Sequence, residues 1–197
     1  METTRDSAGT EQLGQALAST RAILARVQRD QLNLATPCAS WDVRSLINHF
    51  VGTARWAAAA VGGAEEETGL DYAAADYLAS YDEHIKIALA AFEADGVLDR
   101  PVQLAFGEFP GAYVLGIATT DQFVHGWDLA RATGHSLPED PGVAAWLWGS
   151  SWPALSDDVR NEHPSVFAPE IPIAAGRPTL DRLLGFLGRD PDWVGPA

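Results

Sequence analysis

The sequence predicts a mainly α-helical bundle, with a short hairpin or extended loop before its fourth long helix and a helical C-terminal wrap. Three observations predict it. Apolar residues recur at helical spacing in four long segments. Gly or Pro closes each of those segments, at Pro37, Gly62-Gly63, Gly96 and Gly134. The connections between the segments are short, which favours helices packed as neighbours. The chain has 197 residues, enough for one sizeable core, and 47% apolar with 20% charged residues is a globular composition.

Residues 1–10 are polar and are expected to form a flexible N-terminus ahead of a single domain over 11–197. Leu13, Leu17, Thr20, Leu24, Val27 and Gln31 fall near one stripe and predict a first helix over 11–34, ending before Pro37. A second helix, 42–61, opens at SWDVRSL, where Ser40 or Asp42 can cap it, and stops at Gly62-Gly63. A third, 72–94, turns Leu78, Tyr81, Ile85, Leu89 and Phe92 inward. Residues 100–111 alternate weakly and carry turn residues at Gly107 and Pro110-Gly111, the pattern of a hairpin or extended loop. The fourth long helix covers 112–133, with Gly134 as its stop. A shorter helix is expected in PGVAAWLWGSSWPALSDDV, and Trp146, Trp148 and Trp152 there are read as core contacts. Residues 161–178 carry four prolines and read as a wrapping loop, and TLDRLLGFLGRD forms a last short helix.

A formal net charge of −14 argues against nucleic acid and anionic membrane surfaces, whose first requirement is a basic patch. Cys38 is the one cysteine, so no intramolecular disulfide is possible, in keeping with a reducing compartment. METTRDSAGTEQ has no apolar run of the signal-peptide kind, and the longest apolar stretch, near WAAAAVGG, is too short to span a bilayer. The expectation is a cytoplasmic protein.

The fourth helix poses the functional question. Its inward stripe runs Val114, Ile117, Ala118, Asp121, Val124, His125, Leu129 and Ala132, so Asp121 and His125 lie one turn apart on a face that enters the core. A buried carboxylate costs several kcal/mol unless it is paired (roughly, from transfer energies). His49 shares an inward face of helix 2 with Leu46, Phe50, Thr53 and Ala57. Two imidazoles and a carboxylate from facing helices form a metal-ligand set. An Asp/His pair at this spacing is also a common mutually satisfied pair, and spacing alone leaves both readings open. Of the other histidines, His84 is placed at the bundle edge, His135 in solvent and His163 in a loop.

TPCASWDVRSLINHFVG, TTDQFVHGWDLARATG and DRLLGFLGRDPDW together resemble the actinobacterial metal-binding proteins related to the N-terminal domain of mycothiol-dependent maleylpyruvate isomerase, in the DinB-like superfamily. The resemblance implies a DinB-like four-helix bundle holding a divalent metal, zinc above all, through His49, Asp121 and His125. It also implies mycothiol as a co-substrate and a small electrophile as its target, in thiol transfer or thiol-assisted isomerisation. The isomerase itself has Glu where this chain has Asp121, and its second domain is not recognisable here. Three protein ligands leave a coordination position open. The same set also suits metal-dependent hydrolysis, a non-haem iron oxygenase or a non-catalytic binding module.

Around that set, Asp128 follows His125 by three residues. It either accepts the second imidazole N–H or pairs outward with Arg131. Trp127 is read as packing and Trp41 as a staple at the start of helix 2. Cys38 is read as a small buried hydrophobe, and Arg177, Arg182 and Arg189 as solvated surface. No general base and no oligomeric state can be read.

Overall fold

The structure is a computed structural model that describes residues 3–39, 41–65, 67–137, 141–149, 160 and 168–195. Four long helices form the bundle: α1 (Thr3–Leu24), α2 (Val43–Ala60), α3 (Tyr77–Phe92) and α4 (Gly111–Ala132). α1 packs between α3 and α4, and α2 packs against the same two from the other side, so α1 and α2 sit diagonally. The expected hairpin is present as β1 (Pro101–Leu104) and β2 (Gly107–Pro110), antiparallel, with Val102 opposite Phe109. α5 (Pro141–Gly149) and α6 (Thr179–Phe186) pack on each other and supply the C-terminal wrap. No described helix is long and apolar enough to cross a membrane.

Three boundaries of the long helices differ from the sequence expectation by more than two residues. α1 starts at Thr3 rather than 11 and ends at Leu24 rather than 34. Past Leu24 the chain tightens, with Val27 N–H bonded to Leu24 O at 3.2 Å, and Arg29–Gln31 form a separate 3-10 turn. Val27 and Leu32 stay buried through those turns, so the apolar stripe outlasts the helix that began it. Residues 72–74 likewise form a 3-10 turn, and α3 begins only at Tyr77, where the Asp76 side chain accepts from Ala79 N–H. α2 is capped by Asp42, whose Oδ1 accepts from Ser45 N–H at 2.8 Å; Ser40 lies outside the described residues. Residues 168–178 contain no helix or strand, as expected of the wrapping loop, whereas 161–167 lie outside the described residues, as do Trp152 and His163.

α4 is the centre of the molecule. The sequence gives it one inward stripe, but in the structure every residue from Gln122 to Ala130 is buried. The main core, built from all four long helices, covers one side through Val114, Leu115, Ala118, Leu129 and Ala130. A second cluster covers the opposite side, where Phe123, Val124 and Trp127 meet Val143 and Leu147 of α5 and Leu183 and Leu184 of α6. α1 comes close to α4 because Gly126 has no side chain; a Cβ there would stand 2.1 Å from Thr20 Oγ1. The Thr20 hydroxyl donates to Gln122 O across the same contact at 2.7 Å. Trp146 is half-buried against the second cluster, whereas Trp148 is exposed, a correction to its reading as core, and Arg182 lies over its ring at 4.4 Å.

Candidate metal centre

The α2–α4 interface carries the site. The cap at Asp42 starts α2, which then presents His49 and, one turn on, Thr53 toward α4. α4 returns Asp121 and His125, also one turn apart. His49 Nε2 stands 2.8 Å from Asp121 Oδ1, and His125 Nε2 stands 3.6 Å from the same oxygen. One ligand atom from each of the three residues lies within 4.8 Å of the other two. The structure therefore brings together all three residues that the sequence singled out.

The donor set could hold a small divalent ion. Ligand bonds of about 2.0–2.2 Å at tetrahedral angles place donor atoms roughly 3.3–3.6 Å apart; the two separations from Asp121 Oδ1 span that spacing, and all three donor atoms lie within 4.8 Å of one another. His125 is prepared for such a role by Asp128, whose Oδ2 lies 2.9 Å from His125 Nδ1. An ionised carboxylate only accepts, so the proton sits on Nδ1 and the Nε2 lone pair is left for the cluster. Asp128 is wholly buried, so the alternative of an outward pair with Arg131 is not what forms. Arg131 instead donates to the carbonyls of Pro191 and Trp193. The site opens on the His49 side: that side chain is 29% exposed, against 17% for Asp121 and 9% for His125.

Asp121 answers the question of its own burial. Desolvation works against its charge, but the positive charge that His49 and His125 carry when protonated, with hydrogen bonds from His49 and Thr53, outweighs it and holds the carboxyl below the usual carboxylate range in the metal-free protein. Thr53 Oγ1 donates to Asp121 Oδ2 at 2.6 Å. Behind this pair, Gln122 Nε2 donates to Phe50 O at 2.8 Å and reaches Thr53 Oγ1 at 3.2 Å. The Tyr81 hydroxyl donates to Gln122 Oε1 at 2.6 Å, so α3 is tied to the α2–α4 pairing at the level of the site.

Other residues stand where the sequence did not place them. Trp41 is more than a staple: its ring lies 4.4 Å from the His49 ring and 5.3 Å from the His125 ring, forming a wall of the site. Arg189 is not surface. Its side chain is 12% exposed and Nη2 donates to Asp128 Oδ2 at 3.2 Å. Burial opposes the Arg189 charge, but Asp128 and Cys38 beside it more than compensate. Cys38 itself is half-buried. Arg177 remains at the surface, paired with Asp181 and Asp192. His84 is buried rather than peripheral, with Nδ1 at 2.9 Å from Val51 O, and His135 is half-buried rather than solvated. Trp127 is packing, as expected, within the second cluster.

Thr53 and Gln122 were missed as site residues, although Thr53 lies four positions after His49 on the same helical face and that spacing could have found it. Arg189 had no such signal, because it reaches Asp128 from 61 positions away.

Comparison with known proteins agrees with this arrangement. The profile of the mycothiol maleylpyruvate isomerase N-terminal domain matches residues 13–130, which contain all three candidate ligands. Two relatives are the uncharacterized proteins MT0763 and Rv0738, from two strains of Mycobacterium tuberculosis. Each is 36% identical over 172 residues, covering 85% of this chain and 90% of the relative. No solved structure gives a significant match. The helical bundle, the matched profile and the relatives agree, and the chain belongs to the family of the mycothiol maleylpyruvate isomerase N-terminal domain.

Proposed function

We propose that His49, Asp121 and His125 hold one divalent metal, zinc by first choice, and that the protein uses it to direct a small thiol of the mycothiol class onto a small electrophile. The observation that carries this reading is the convergence of three donor atoms, with His125 already oriented by Asp128. A divalent ion bound there supplies acidity, favouring the thiolate over the thiol at neutral pH. The chain supplies the rest. Two neutral imidazoles and one carboxylate leave a site of net positive charge once a divalent ion is bound, which suits an anionic sulfur. Trp41 walls the site against both imidazoles and restricts water there. Asp121 and His125 would hold that ion from α4, and His49 from α2.

The test has two stages. Elemental analysis of protein purified without added metal should find zinc; iron would favour oxygenase chemistry, to which the same donor set is suited. The zinc protein should then consume a model electrophile faster with mycothiol than without it. Equal rates with and without thiol would overturn the thiol step, and hydrolysis of the electrophile alone would favour water as the nucleophile.

A further inference from the structure

We infer that Arg189, carried by the C-terminal wrap, is a positioning residue of the metal centre: it fixes Asp128, and Asp128 fixes the imidazole of His125. The inference deepens the metal reading above and rests on it. The matched family domain ends at residue 130, yet the contact that steadies one of its ligands comes from outside that span.

Asp128 has no exposure to water, and its Oδ2 takes both available contacts, His125 Nδ1 at 2.9 Å and Arg189 Nη2 at 3.2 Å. Among the described residues, its other oxygen, Oδ1, is buried with no hydrogen-bond partner, and so is Arg189 Nε. Among those residues the carboxylate is therefore held through one oxygen only. Its orientation depends on the two partners it shares between them, and removing one leaves the other to set it alone. The guanidinium is also a cation that offsets the burial of this carboxylate.

Arg189 is itself held. Its backbone N–H bonds to Leu184 O at 2.8 Å, and Nη1 bonds to Leu187 O at 3.0 Å. Gly188 before it adopts φ +77, a conformation that L side chains rarely take. That bend brings the chain off α6 and against Pro169 O, where a Cβ at Gly188 would stand 2.9 Å away. On the far side, Arg131 of α4 clasps the carbonyls of Pro191 and Trp193. The wrap thus delivers one guanidinium to one carboxylate, and the metal centre is complete only when the wrap is docked.

The test uses the full-length chain and zinc as the probe, with affinity measured by chelator competition. A second readout follows the ring 15N shifts of His125 in metal-free protein, which report the tautomer. Arg189→Ala should weaken zinc binding about 10–100-fold, as loss of a group that orients a ligand does. It should also move the His125 signals away from a single Nδ1–H form. In an Asp128→Asn background the same change should cost less than about twofold, because contributions transmitted through one partner are not additive. Affinity within about twofold of wild type, or an equal further loss on Asp128→Asn, would overturn the inference. Should Arg189→Ala fail to fold, Arg189→Met keeps an unbranched side chain and removes both the charge and the donor to Asp128. It is read by the same two measurements, and unchanged affinity with unchanged His125 signals overturns the inference. If wild-type protein takes up no zinc, the metal reading fails, and the His125 signals then decide separately whether Arg189 acts on that ring.

Discussion

Asp121 is surrounded by groups that favour its ionised form, and each is a named side chain: His49 at 2.8 Å, Thr53 at 2.6 Å and His125 at 3.6 Å. Thr53 is the sharpest probe of the three, because it is not a ligand and Val has nearly its shape. Thr53→Val removes the donor to Asp121 Oδ2 while the partner stays largely buried. The expected result is a loss of about 1–3 kcal/mol in stability by urea unfolding. Zinc affinity should fall about tenfold or more in the same protein. Stability and affinity both unchanged would mean that the Thr53 contact does not orient the carboxylate. The residues of this site differ in how far the sequence reveals them. His49, Asp121 and His125 are legible because ligand-type side chains stand out on apolar helical faces. Thr53 was visible on the His49 face but carries no chemistry of its own. Arg189 is illegible, since its role comes from the fold of a distant segment and not from local spacing.

The helices themselves obey rules that can be tested one position at a time. α2 begins at the Asp42 cap, so Asp42→Ala should cost about 1 kcal/mol. Because this helix carries His49, the same change should loosen its first turn, seen as faster amide exchange at Ser45 and Leu46. α1 and α4 meet at Gly126, where an added Cβ would strike Thr20. Gly126→Ala should destabilise the protein by about 1–3 kcal/mol, the usual cost of overpacking. Trimming the other side as well, in Gly126→Ala with Thr20→Ala, should recover part of that loss; no recovery would place the strain elsewhere. Apolar periodicity located all four long helices and the hairpin. It overran the end of α1, because the turns after Leu24 keep Val27 and Leu32 buried just as another helical turn would. It also described α4 as one-sided. The second buried side of α4 exists because α5 and α6 cover Phe123, Val124 and Trp127 from segments far along the chain.

For the whole molecule, a bundle with a ligand set inside it couples stability to metal. A metal that binds the native state alone adds RT ln(1 + [L]/Kd), on the order of 3–4 kcal/mol at several hundred to a thousand times Kd. Chelator should therefore lower the melting temperature of the wild type, and zinc should restore it. Melting that ignores both reagents would leave the internal hydrogen bonds of Asp121 as the sole reason for its burial. The most direct test of the central claim is the zinc content, after exhaustive dialysis, of the wild type and of the folded variants His49→Ala, Asp121→Ala and His125→Ala. The account predicts one zinc per wild-type chain and a loss of most of it in each variant. One full equivalent retained when both His49 and His125 are replaced by Ala would contradict it.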